Sequence, residues 1–406
     1  MDNNPIVNNS DMNEAHRAQL LKIIHQKELQ NEICSRAELA KMTGLTQASI
    51  TKIVASLIES GIVLETGIIK GSGNRRAIGL KLNSEKNCVI GVKFSRYMYT
   101  VGLFDISGKF YKQTEVEFDI TDDPKIVLKD MKKLIREYLD KNENVVAIGM
   151  AVPGPYLKNE GHIAVVSHMM SWHDVNFLKE FENEFDKPFF IEQDANAGAM
   201  AEWWFGNHKK PMNTLAYFLM GEGVGSGIVE NEKLLFGKQG AASEVGHISI
   251  DYRGPRCECG NYGCLELYCS TRVMLARAKK ALPSIFTDKK HKRLDDYDVI
   301  FEAARKGDGA ILDIMKEMAQ YIAYGCVTLI NAYNPDIIVI GDVISKAGDI
   351  LLPQIKRIVE ERTIPELFSQ VDIMMSELSV DPTLYGAAAI ATDRVLGKPS
   401  EYLTAK

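Results

Sequence analysis

Between His247 and Cys264 the sequence reads HISIDYRGPRCECGNYGC, an H-x9-C-x-C-x4-C pattern that puts one imidazole and three thiols within eighteen residues. Four donors so spaced can meet only if the backbone curls tightly, and Gly254, Pro255, Gly260 and Gly263 supply the turns. Three thiolates and one imidazole suit tetrahedral zinc. Four protein ligands leave no open position for a catalytic water, so the expected cofactor is one structural Zn2+ per chain on His247, Cys257, Cys259 and Cys264. The competing reading is a group of incidental buried thiols. The chain has seven cysteines, and an odd number with three clustered argues for a metal site over a secreted disulfide framework. Cys34, Cys88, Cys269 and Cys326 read as unrelated core thiols.

Length and charge narrow the class. At 406 residues and 46% hydrophobic the chain can bury a large core and is long enough for two or three domains of ~150 residues. Its net charge of -6 excludes a general polyanion binder. Residues 1–82 differ, with ten Lys/Arg against eight Asp/Glu, where the remainder has 38 against 46. No apolar run reaches the ~18 residues of a membrane helix, and the polar start MDNNPIVNNSDMNE lacks a basic-then-apolar signal, so a cytoplasmic protein with no membrane association is expected.

Residues 12–82 carry the pattern of a DNA reader. Ser35-Arg36-Ala37-Glu38 fits a capping box and predicts a helix over about 36–43. Gly44 breaks it, Thr46 can cap the next helix, and Ile50, Ile53, Val54, Leu57 and Ile58 form one apolar stripe. The opposite face presents Gln47, Ala48, Ser49, Thr51 and Lys52, small or polar side chains able to reach base edges and phosphates in a major groove. Upstream, Ala18, Leu20, Leu21, Ile23 and Ile24 predict a third helix. Downstream, IVLETG and AIGLKLN read as strands joined by KGSGNRR, a glycine-containing basic tip. The order predicts a winged helix-turn-helix over 1–82, with Arg75 and Arg76 on phosphates or in a minor groove.

Beyond Asn83 strands alternate with helices: CVIGVKF, MYTVGLFDIS, KFYKQTEVEF, a helix over about 124–141, then VVAIGMAVPG. A second pass starts at TLAYFLMGEGVGSGIVENEKLLF and runs through a long helix, the strand DIIVIGD and a last helix near 382–396. Such alternation predicts a mainly doubly wound α/β sheet in two similar lobes with a cleft between them. The lobes are expected over 83–195, completed by a C-terminal helix in 387–406, and over 196–386.

Two segments carry a family resemblance across most of the chain. EVGHISIDYRGPRCECGNYGCLE closely resembles the signature of the ROK family of repressors and sugar kinases, IEQDANAGAMAEWWFG resembles its sugar-contacting segment, and the N-terminal module resembles its repressor branch. The resemblance implies an actin-like, sugar-kinase-like fold. It further implies that Asp194 matches the kinases' base and that Glu244, His247 and Glu266 match their sugar-hydroxyl ligands, with His247 also on zinc. Where the family usually has Asn before the Asp, this chain has Gln193, one methylene longer.

Family kinases bind nucleotide with a strand ending in Asp-x-Gly-Gly-Thr; the matching stretch here is Lys93-Phe94-Ser95-Arg96-Tyr97, without the acid or the glycines that close phosphate approach needs. In GEGVGSG, Glu222 stands in place of Thr, and at the adenine loop a glycine run has become Gly341-Asp342. Retained sugar ligands with lost nucleotide ligands imply a receptor without catalytic residues: a sugar-responsive repressor of carbohydrate genes, acting on operator DNA as a homodimer or higher homo-oligomer. The alternative is an ATP-dependent sugar kinase with an attached DNA module. Two further readings remain open. A sugar-transport protein could dock near the zinc loop, or Lys93 and Arg96 could hold the phosphate of a sugar phosphate.

Overall fold

The structure is a computed structural model that describes residues 9–70, 76–165, 170–208, 212–286 and 293–402. The chain forms two compact units, one of Met1–Met150, Glu180–Ile191 and Ala387–Lys406, the other of Ala151–Lys179 and Glu192–Gly386. Among the described residues no helix is long and apolar enough to cross a membrane.

The first unit opens with α1 (Asn9–Leu29), β1 (Cys34–Ser35), α2 (Arg36–Thr43), α3 (Gln47–Glu59), β2 (Val63–Lys70) and β3 (Arg76–Leu82). Ser35 starts α2 through the expected capping box: its hydroxyl accepts the Glu38 N–H, and Glu38 Oε2 accepts the Ser35 N–H at 2.8 Å. Gly44 ends α2 in the left-handed conformation, at φ 73°, which costs glycine no Cβ clash. Thr46 caps α3 by accepting the Ser49 N–H at 3.2 Å. The stripe Ile50, Ile53, Val54 and Leu57 is buried, Ile58 half-buried, and all five apolar residues expected on α1 are buried. The three strands pair in the order β1-β3-β2.

The chain continues through β4 (Cys88–Phe94), β5 (Met98–Asp105), β6 (Phe110–Glu117), α4 (Pro124–Asp140) and β7 (Val145–Val152). A short hairpin of β8 (Tyr156–Leu157) and β9 (His162–Ile163), then α5 (Phe177–Phe181), precede β10 (Phe189–Gln193). The sheet order is β10-β7-β4-β5-β6.

The second pass comprises α6 (Asp194–Phe205), β11 (Thr214–Met220), β12 (Val224–Glu230), β13 (Lys233–Leu234), α7 (Glu266–Cys269), α8 (Thr271–Ala281), α9 (Arg293–Arg305), α10 (Gly309–Tyr333), β14 (Ile337–Gly341), α11 (Gly348–Arg362), α12 (Pro365–Phe368), β15 (Asp372–Met375), α13 (Pro382–Gly397) and α14 (Pro399–Tyr402). Its sheet order, β13-β12-β11-β14-β15, repeats the first sheet's connectivity. Each begins with three strands in sequence and adds two later strands on the other side of the first. The internal repeat is thus one of topology. The expected α/β sheet is mixed in strand direction: β11-β12-β13 is an antiparallel meander, and β14 and β15 extend it in parallel. Short turns such as 221–223 permit only antiparallel return, whereas β14 follows a crossover long enough for helices. All five residues of β14 are buried, as a central parallel strand requires.

Candidate functional site

The His/Cys run folds as a knot of short turns between β12 and α7. Bridges pair Ser249 with Cys264 and Arg256 with Tyr262. The Ile250 N–H donates to Gly263 at 2.9 Å, the Gly263 N–H to Pro255 at 2.8 Å and the Cys257 N–H to Asn261 at 2.8 Å. Gly263 sits at φ 60°, and a Cβ there would overlap the Asp251 carbonyl oxygen, so the knot closes only around glycine.

This folding gathers His247, Cys257, Cys259 and Cys264, whose ligand atoms all lie within 4.8 Å of one another. Cys259 and Cys264 sulfurs are 3.6 Å apart, and Cys257 Sγ is 3.8 Å from His247 Nδ1. Those spacings fit the ~3.8 Å edge of a tetrahedron built on ~2.3 Å metal–sulfur bonds. The four side chains could hold a metal ion. Burial raises the Cys257 and Cys264 thiols above their ordinary range, and a bound dication would favour the thiolates by supplying the counter-charge.

Close by are the residues singled out as sugar ligands. Gln193 ends β10 and Asp194 begins α6, where its Oδ1 accepts the Ala195 N–H at 2.7 Å. Gln193 Nε2 donates to Glu244 Oε1 at 2.9 Å, and its Oε1 accepts the Tyr156 N–H at 3.2 Å. Glu244 precedes a short 3-10 turn, Val245–His247. Burial pushes its carboxyl up to about 7, the Gln193 hydrogen bond opposes this, and the charges of Asp194 and Glu266 add to it. Glu266 opens α7 two residues after Cys264, is buried, and accepts the Val224 N–H at 2.9 Å. Hence the metal-type loop carries Glu244 at its start and Glu266 at its end, each fixed by a hydrogen bond.

Sequence reading missed the support beneath this group. Glu192 is 1% exposed, accepts from Asn196 Nδ2 at 3.0 Å and pairs with Lys158 Nζ at 2.5 Å. Lys158 also lies over the Phe236 ring, 4.1 Å from its centroid. A side chain at Gly154 would overlap Gln193. The only sequence signal was a charged residue inside an apolar strand, FFIEQ, since a buried carboxylate requires a partner.

The stretches expected to have lost nucleotide contacts take separate places in the structure. Lys93 ends up opposite Thr100 on a β4–β5 hairpin whose turn Ser95 closes, its N–H donating to Met98 at 2.9 Å. Phe94 is core, stacked on Phe118 with centroids 5.6 Å apart. Asp342, at φ 66°, lies against the other loop, because a Cβ on Gly221 would fall 2.8 Å from its Oδ2. Glu222 follows Gly221 directly.

In the N-terminal module Gln47, Ala48, Ser49, Thr51 and Lys52 are all exposed on the first two turns of α3. Ser49 Oγ is 2.9 Å from the Thr46 hydroxyl, and Thr51 Oγ1 donates to Gln47 O at 2.8 Å. Arg76 is exposed at the start of β3, and Arg75 lies outside the described residues.

Residues 89–394 match the ROK family. The chain is 28% identical over 400 residues to the xylose repressor of Caldicellulosiruptor bescii, covering 97% of this chain and 99% of that protein. It is also 28% identical over 351 residues to the DNA-binding transcriptional dual regulator NagC of Escherichia coli, covering 85% of each. A solved ROK family transcriptional regulator, homologous to the E. coli MLC protein, superposes with a TM-score of 0.77 at 27% identity, covering 97% of this chain and 99% of that one. A ROK family glucokinase from Streptomyces griseus, solved with glucose and AMPPNP, superposes with a TM-score of 0.61 at 24% identity. Its near-complete chain, 99%, corresponds to 75% of this one, which establishes a shared sugar-kinase-like fold.

Proposed function

This chain belongs to the ROK family, and from that premise we propose that it is a sugar-responsive DNA-binding transcriptional regulator, a repressor whose kinase-like part senses a sugar without phosphorylating it. One contrast within the second unit carries the reading. Gln193 is bonded to Glu244, whose carboxyl feels the charges of Asp194 and Glu266, a gathering of acceptors that suits sugar hydroxyls, while the loops read as altered nucleotide contacts set Asp342 against Gly221 beside Glu222. Two carboxylates facing a triphosphate would repel it.

Residues 1–82 read as a winged helix-turn-helix: α2 and α3 joined through Gly44, with β2 and β3 as the wing. Gln47, Ala48, Ser49, Thr51 and Lys52 would face the major groove, with Arg75 and Arg76 at the duplex backbone or minor groove. Beyond residue 82 the two compact units set the lobes, with 83–150, 180–191 and 387–406 in one and 151–179 and 192–386 in the other, so 151–179 and 192–195 leave the expected first lobe of 83–195. An operator of two half-sites calls for a homodimer, because one module makes too few base contacts. Zinc on His247, Cys257, Cys259 and Cys264 supplies a structural staple for the loop that carries Glu244 and Glu266. A sugar shifts DNA affinity to the extent that it binds one state of the protein better than the other.

The test is a thermal-shift screen of the full chain against neutral sugars and their phosphates, followed by duplex binding with and without each hit. A ligand at 100 times its Kd adds ~2.7 kcal/mol of stability. The expected result is a sugar that stabilises the chain, changes duplex affinity and loses both effects in Glu244→Ala. A complete screen without a stabilising ligand would overturn the reading. A second reading, an ATP-dependent sugar kinase with a DNA module, is favoured by the retained Asp194. ATP-dependent phosphorylation that stops in Asp194→Asn would establish it.

A further inference from the structure

The hairpin of β2 and β3 carries an apolar pair that the rest of the module leaves uncovered. Alternate residues of a strand share a face. On β3, Leu80 and Leu82 are buried with Cys34, the register partner of Leu80, on the face that packs against the helices. Two residues closer to the tip the same face carries Ile78, 45% exposed, directly opposite Ile68 on β2, 71% exposed. Arg76, exposed, follows two residues further along this face. The other face is treated differently: a Cβ on Gly79 would collide with Ile33 and Thr66, so the chain's own side chains already lie there. Two isoleucines are therefore held past the end of the module's core, on its helix side.

We propose that Ile68 and Ile78 form an apolar wedge that enters the minor groove of duplex DNA next to the site of α3. This inference rests on the DNA-reader assignment of residues 1–82. Charge complementarity favours a duplex as the occupant. Arg76 stands on the same face, Lys52 is exposed on α3, and residues 1–82 hold ten basic against eight acidic side chains in a chain whose net charge is -6. The β2 acid near the wing, Glu65, is bonded to Arg36 at 2.7 Å, which lowers its repulsion of phosphate. Apolar side chains between basic anchors part or lean on stacked base steps and line the sugar walls of the minor groove. Isoleucine also suits the strand, so the wedge adds no conflict with the hairpin.

The test uses the full-length chain and the tightest duplex it selects from a random 30-bp library. Ile68→Thr with Ile78→Thr keeps β-branched residues in the strands and removes the apolar surface. Duplex affinity is expected to fall at least about tenfold with the salt slope unchanged, since no phosphate contact is lost. Arg76→Ala would instead lower the slope. Replacing flanking adenines by 2,6-diaminopurine adds an amino group in the minor groove alone. It should weaken the parent chain and leave the double threonine variant unaffected. An unchanged thermal midpoint for the variant confirms that it folds. Equal affinity of variant and parent would overturn the wedge, and so would a variant that alters only oligomeric state by sedimentation, which would assign the pair to a second copy. A parent chain that selects no duplex at all would overturn the DNA assignment and the wedge together.

Discussion

Gln193 spans the space between Tyr156 and Glu244, accepting the Tyr156 N–H on Oε1 at 3.2 Å and donating Nε2 to Glu244 Oε1 at 2.9 Å. Its added methylene relative to asparagine gives the side chain the reach to join the 154–156 turn to the acceptor group. Gln193→Asn should lose one of the two bonds, at a cost of about 1 kcal/mol in stability, with a further drop in sugar affinity. Melting curves of the two proteins with and without the stabilising sugar would check this. Equal affinity in both would show that Gln193 is a strut only.

Metal removal should act locally. Chelation, or Cys259→Ser, is expected to loosen the 247–264 loop and release Glu244 and Glu266 from their fixed positions, abolishing sugar binding. Elemental analysis should find one zinc per parent chain and none in the variant. Retention of full sugar affinity by a zinc-free variant would contradict the staple role.

Glu202 gives a pH signature. Burial lifts its carboxyl from the ordinary 4.5 to about 7, with the Ser376 hydrogen bond opposing and Glu377 adding. His208, 3.6 Å away, is shifted down by burial, so both groups favour their neutral forms. The raised carboxyl contributes stability that is fully present below about 4.5 and lost as pH rises through about 7. Glu202→Gln cannot ionise. Relative to the parent it should gain stability between pH 5 and pH 8, by up to about 3 kcal/mol. Denaturant titrations at those two pH values would measure the difference, and parallel pH profiles would refute it.

The capping box offers a test confined to the N-terminal module. Ser35→Ala removes the acceptor for the Glu38 N–H and the reciprocal bond loses its geometry, so α2 should lose about 1 kcal/mol. Hydrogen exchange should quicken in residues 36–43 while the second unit keeps its protection.

Much of the N-terminal module was legible in the residues because its signals are local. Ser35 and Glu38, Gly44, Thr46 and the stripe from Ile50 to Leu57 each interact within a turn or two, and the structure places them as expected. The exposed pair on the β2–β3 hairpin was not, since the alternation that buries Leu80 and Leu82 continues unchanged in the letters through Ile78, where exposure begins.

Spacing along the chain dictates the caps, the order of strands and helices, and the coincidence of one imidazole with three thiols, so those features could be read from the residues alone. Folding was needed to bring Lys158 to Glu192, Gln193 to Glu244 and Asp342 to Gly221. Each of these pairs joins segments from 34 to 121 positions apart. No period in the sequence encodes such a meeting, which follows from how strands with the same apolar pattern are ordered in a sheet. The sharpest consequence is chemical. A glutamate that reads as an ordinary charge in FFIEQ becomes a buried counter-ion once the sheet is assembled.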